Sequence, residues 1–191
     1  TGENAPVVRH EVALIQPTPT AATPVQVKKE MPIYADSLDG DWQEWSWSVT
    51  SQFAVATPVH SGSTALAVTY DTGWGAFYLH STEAIMTNDY DLHRFWVHGG
   101  SEGKQRFRVV LADASTSFLT ESKEVSAQAD AWTLVEIKLS ELGATDQISG
   151  IAWQDSTGEA QPTFYIDDLA LIDLDLPPTP TPEPIAGPAL S

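Results

Sequence analysis

Cysteine is absent from the 191-residue chain. That excludes disulfides, thiolate metal sites and thiol nucleophiles together. It is compatible with an exported protein whose core is large enough to hold without staples. Basic residues are scarce: nine Lys and Arg stand against 26 Asp and Glu, giving a net charge of −17 and a pI of about 4.3. A surface of that sign repels phosphate backbones and anionic lipid headgroups, so no nucleic acid is expected as a partner, while divalent cations are favoured. Long apolar runs are also missing. None approaches the ~18–20 residues of a membrane span, so no membrane insertion is expected. The chain opens at Thr1 with neither an initiator methionine nor an apolar signal segment, as a processed mature product would.

Catalytic signatures are lacking too. No His-x-x-x-His pair or phosphate-binding loop occurs. A glycosidase needs two carboxylates flanking a cleft, and with 26 acidic residues no pair is singled out. The expectation is a non-catalytic protein with no catalytic residues.

What is present divides the chain by composition. Residues 1–15 hold a strand-like segment, and 16–32 form a Pro/Thr-rich linker, "QPTPTAATPVQVKKEMP". Residues 33–174 carry nearly all the aromatics, and 175–191 are again Pro/Thr-rich. Proline removes backbone donors and holds φ near −65°, so both flanks read as extended tethers. Thr18, Thr20, Thr23, Thr179 and Thr181 suit O-glycosylation by composition.

The middle segment reads as β throughout. "TALAVTY" sets Leu66, Val68 and Tyr70 on one face, and "GAFYLH" alternates Phe77 and Leu79 with Tyr78 and His80. "HRFWVH" alternates Phe95 and Val97 with Arg94, Trp96 and His98. "QRFRVVL" sends Phe107, Val109 and Leu111 inward and Arg106 and Arg108 outward, while "WTLVEIKL" buries Val135, Ile137 and Leu139. Turn signals such as "HSGS" and "HGGSEGK" separate the runs, and "LSELG" at 139–143 is the one helical turn. Many alternating strands joined by turns predict an all-β antiparallel sandwich, or jelly roll, of roughly 140 residues.

The segment "VVRHEVALI" before the first linker alternates Val8, His10, Val12 and Leu14 with a second, largely apolar face. Such a strand needs a partner sheet, since unpaired backbone is costly when buried and unstable when free. Either it docks on its own sandwich or it completes the sheet of another molecule. The spacer of about sixteen residues spans ~50 Å when extended, and a proline-rich spacer disfavours folding back. Head-to-tail strand donation would build an open filament.

From "YADSLDGDWQEWSW" through "PVHSGSTALAVTY" and "GWGAFYLH" to "PTFYIDDLALI", residues 33–173 resemble jelly-roll carbohydrate-binding modules of the galactose-binding-like type. The opening Tyr-x-Asp-x-Leu, the His-Ser-Gly turn and the closing Tyr-Ile-Asp-Asp-Leu carry the resemblance. Families with this sandwich often hold a structural calcium between the first strand, the following turn and the last strand. The resemblance places Asp36 and the pair Asp167 and Asp168 there, with carbonyls near His60–Gly62 as further ligands. Adjacent carboxylates on a strand point to opposite faces, so at most one of the pair would ligate directly.

Sugar binding requires flat aromatic faces ringed by polar groups. Tyr78 and His80, Trp96 and His98, and Arg106 and Arg108 offer such a set if their strands are neighbours. The alternative is that the arginines pair with carboxylates and Trp96 packs under a loop. Of the seven tryptophans, Trp45 and Trp47 share a strand face and read as core, Trp132 and Trp153 as closing the barrel mouth, and Trp42 and Trp74 as exposed.

Two functions fit. The first is an extracellular or cell-surface structural subunit that polymerises with itself by N-terminal strand donation. The second is a tethered carbohydrate-binding module that recognises a polysaccharide.

Overall fold

Alternation at period two becomes two antiparallel sheets packed face to face in the computed structural model, which describes residues 25–175. Eleven strands make them: β1 (Gln26–Tyr34), β2 (Trp42–Glu44), β3 (Val49–Val55), β4 (Ala65–Tyr70), β5 (Ala76–Met86), β6 (Leu92–His98), β7 (Arg106–Asp113), β8 (Phe118–Ser126), β9 (Trp132–Lys138), β10 (Gln147–Asp155) and β11 (Gln161–Asp175). The first sheet runs β3-β4-β11-β6-β9, and the second β2-β5-β10-β7-β8. The expected all-β jelly-roll sandwich is what forms.

β11, with 15 residues, is the spine of the first sheet. One of its edges pairs with β6. The other is shared: β4 takes Gln161–Ile166 and β1 takes Leu169–Asp175. β1 therefore begins at Gln26, inside the stretch expected to be linker up to residue 32. The cue was hidden because "QVKKEMPIY" is exposed along most of its length and buries only Ile33 and Tyr34 at its end. Lys28 instead meets Asp173 across the pair at 2.9 Å. The edge strand β8 is polar for the same reason, being mostly solvent-facing.

The inward alternation holds as read. Phe77, Leu79, Phe95, Val97, Phe107, Val109, Leu111 and Phe164 are fully buried between the sheets. Trp153 sits among them with no exposure, 5.6 Å from the Phe77 ring and 5.8 Å from that of Phe95. It is mid-core in β10 and does not close a barrel mouth. Trp132, the first residue of β9, is half-buried. Trp42 is also buried, at 5% exposure, against the expectation that it faces solvent.

The "LSEL" turn forms as a 3₁₀ turn over Leu139–Leu142, stopped by Gly143 at φ 66°, a left-handed conformation glycine adopts without steric cost. A second 3₁₀ turn occupies Thr87–Asp89. The expected donor strand with Val8, His10, Val12 and Leu14 lies outside the described residues, as do Thr18, Thr20, Thr23, Thr179 and Thr181. No helix of the described residues is long and apolar enough to cross a membrane.

Candidate functional site

The outer face of the second sheet carries an aromatic cluster. Register fixes its rows: His80, Gly150 and Ala112 lie across β5, β10 and β7, then Tyr78, Ala152 and Val110, then Ala76, Gln154 and Arg108. The central residues Gly150 and Ala152 are small, and Tyr78, Ala112 and Ala152 form an apolar cluster apart from the main core. Gly150 makes room for the Tyr78 ring; a Cβ there would stand 2.6 Å from its Cε2.

Over this floor the segment after β2 lays two indoles. Trp45 N–H donates to the Tyr78 carbonyl at 2.8 Å, and Trp47 exchanges backbone bonds with Ala76. The Trp47 ring lies 6.5 Å from Tyr78 and 5.7 Å from Phe118 of β8, and Phe118 lies 5.1 Å from Tyr78. Trp45 and Trp47 are 47% and 38% exposed and Phe118 is 43% exposed, although Trp45 and Trp47 were expected in the core. Alternation in "EWSWS" shows that the two indoles share a face but not which side that face meets.

Beside the rings lies a hollow of about 400 Å³, lined by Trp47, Arg108, Phe118, Thr120, Ser122 and Gln154 among others. Arg108, itself exposed, donates through Nε and Nη2 to Gln154 Oε1 at 2.9 and 2.6 Å, which fixes the guanidinium plane. Burial raises the Tyr78 pKa, so the hydroxyl stays a neutral donor. Stacking surface and fixed donors therefore stand together, as a pyranose requires.

The six expected sugar-contacting residues do not form one patch. Tyr78, His80 and Arg108 belong to this face. Arg106 lies at its margin on β7 and pairs with Glu124 at 3.2 Å. Trp96 and His98 are on β6, in the other sheet, so the assumed adjacency of the three strands fails. Trp96 is stacked on His60 of a loop, centroids 3.8 Å apart. His98 Nδ1 accepts the Gly100 N–H at 2.9 Å, and burial lowers its pKa, leaving a neutral ring with its proton on Nε2. Trp45, Trp47, Phe118 and Gln154 were missed.

The three expected calcium ligands do converge on one turn, but on hydrogen-bond donors. Asp36 Oδ1 accepts the N–H groups of Ser63 and Thr64 at 2.6 and 2.9 Å, which hold its pKa below the usual range. Asp167 is fully buried and accepts the N–H groups of His60, Ser61 and Asp168; burial nevertheless raises its pKa. Asp168 takes the His60 imidazole at 2.7 Å and the Ser61 hydroxyl at 2.7 Å. Calcium would have to displace these donors, and among the described residues no group of three or more His, Asp or Glu side chains is arranged to hold a metal ion.

No protein-family model matches the chain. An endoglucanase of Dictyostelium discoideum is 30% identical over 147 residues, 74% of this chain and 21% of that protein. The chain thus spans about a fifth of that curated relative. A family 29 carbohydrate-binding module complexed with mannohexaose superposes with a TM-score of 0.57 at 14% identity, over 75% of this chain and 91% of that one. A cellulohexaose complex gives 0.57 and 14%, over 75% and 90%. A further family 29 module gives 0.56 and 14%, over 78% and 90%. The chain has the jelly-roll fold of these modules.

Proposed function

We propose that this chain is a non-catalytic, extracellular or cell-surface module that binds a polysaccharide on the outer face of its second sheet. The observation that carries this is the exposed cluster of Trp45, Trp47 and Phe118 over Tyr78, beside the fixed Arg108–Gln154 pair. Exposed aromatic clusters of this size mark binding surfaces, since leaving them in water gains nothing for folding. A net charge of −17 opposes acidic glycans, so the ligand class is a neutral polysaccharide.

Two comparisons support this reading: solved modules of the same fold are complexed with mannohexaose and cellulohexaose, and part of an endoglucanase is similar in sequence. Self-assembly by strand donation remains a separate proposal that rests on residues outside the described ones. The deciding experiment is isothermal titration of the chain with cellohexaose and mannohexaose. Saturable binding that disappears in a Trp45→Ala/Trp47→Ala double variant with unchanged melting supports the module. Absence of binding to both hexasaccharides and to insoluble cellulose and mannan overturns it.

A further inference from the structure

Trp74 is the most exposed large apolar side chain among the described residues, at 59%. An exposed loop residue of that kind is ordinarily mobile and unstrained. Trp74 is neither. Its backbone sits at φ 65°, a left-handed conformation that non-glycine residues adopt only when their surroundings impose it.

Three contacts impose it. The Trp74 N–H donates at 2.8 Å to Oδ2 of Asp155, whose fully buried carboxylate also takes the N–H groups of Thr157 and Gly158. The indole lies on Gly158, where a Cβ would come within 2.9 Å of its Cζ2. The Trp74 carbonyl accepts the Trp47 indole N–H at 3.1 Å. The turn before β5 is thus locked to the turn after β10, and its outcome is a tryptophan displayed to solvent and bonded to the aromatic cluster.

We propose that Trp74 is a third sugar-stacking residue, which extends the site so that it selects linear chains running along β5. This rests on the reading of the outer face as a polysaccharide site. The spacing supports it. Trp45 bonds opposite Tyr78, Trp47 opposite Ala76, and Trp74 stands in the turn that leads into β5, two residues before Ala76. Two residues of strand advance ~6.8 Å between the Trp45 and Trp47 positions, and the bond from Trp47 to the Trp74 carbonyl keeps the third indole next to the second, so an extended chain is long enough to meet all three. A compact or branched glycan would meet one or two. The strained turn that Asp155 anchors holds this ring at the surface, where one of its faces stands ready to stack on a sugar.

The test is titration with cello- and manno-oligosaccharides from two to six units, using the wild type, Trp74→Asn and Trp45→Ala. Asparagine tolerates the left-handed backbone, so Trp74→Asn removes the ring without imposing a new fold; melting temperature and near-ultraviolet circular dichroism check this. The expected result is about tenfold weaker hexasaccharide binding in Trp74→Asn with di- and trisaccharide binding unchanged, against losses at every length in Trp45→Ala. Equal hexasaccharide affinity in Trp74→Asn and wild type, or an equal loss at every length, overturns the extension while leaving the site intact. A wild type that binds none of the oligosaccharides overturns both.

Discussion

Trp45 lies flat against His80, the ring centroids 3.8 Å apart and the planes 21° from parallel. One face of the indole is thereby covered and the other left for a ligand, while the Trp45 Nε1–H is held by Gln43 Oε1 at 3.2 Å. The imidazole acts as a backing plate. Trp45→Ala is expected to weaken hexasaccharide binding by about 2 kcal/mol, roughly thirtyfold. His80→Ala removes only the backing and is expected to lose less, with a larger entropic penalty by calorimetry. Equal affinity in His80→Ala and wild type would show that Trp45 holds its pose alone.

On the proposed reading, Arg108 is a hydrogen-bond donor to the sugar. Arg108→Ala is expected to weaken binding by about 1 kcal/mol, roughly fivefold, the value of one or two neutral hydrogen bonds. If the ligand is a neutral glycan as proposed, raising sodium chloride from 50 to 500 mM should leave the wild-type dissociation constant unchanged. A steep salt dependence would point to an anionic ligand instead.

His93 is fully buried, its Nδ1 bonded to the Ala170 carbonyl at 3.1 Å, and burial lowers its pKa to about 4 despite that bond. In the unfolded chain it titrates near 6.5, so between pH 6.5 and 4 the unfolded state binds the extra proton. Stability attached to His93 is complete above pH 6.5 and falls as pH drops, by roughly 3 kcal/mol in total. Melting curves from pH 7 to 4 should show a shallower decline in His93→Asn than in the wild type. Parallel curves would mean that the ring accepts a proton without unfolding.

Asp155 anchors two turns at once. Burial pushes its pKa up, yet the N–H groups of Trp74, Thr157 and Gly158 outweigh that and hold it below the usual range. Asp155→Ala leaves those donors unpaired inside the protein and is expected to cost about 3 kcal/mol of stability by chemical denaturation. A loss below about 1 kcal/mol would show that water replaces the carboxylate.

Removal of calcium by a chelator is expected to leave the melting temperature unchanged, because Asp36, Asp167 and Asp168 are satisfied by donors of the 60–64 turn. A rise in melting temperature on adding millimolar calcium would show that the turn rearranges around an ion.

The sandwich was legible in sequence because its strands send large apolar side chains between the sheets at every second residue: Phe77 and Leu79, Phe95 and Val97, and Phe107, Val109 and Leu111 are all read correctly. β1 and β8 were not legible, since strands whose sides are mostly wet carry no apolar period. The site was legible in half. Tyr78, His80 and Arg108 followed from strand parity, which assigns faces within a strand. Parity says nothing of which strands are neighbours, so Trp96 and His98 were grouped with residues of the opposite sheet. It is also silent where a chain passes between sheets, which is why Trp45 and Trp47 were placed inside.

The pairing of Gln26 with Asp175 has a mechanical consequence. The first and last strands of the described domain are antiparallel neighbours, so the chain enters and leaves at the same corner. Tension applied through both flanks would load the β1–β11 ladder one rung at a time, as a zipper is opened, instead of shearing all its hydrogen bonds together. The first strand is then the weak point under pull, and β4, paired with the other half of β11, stays outside the line of force.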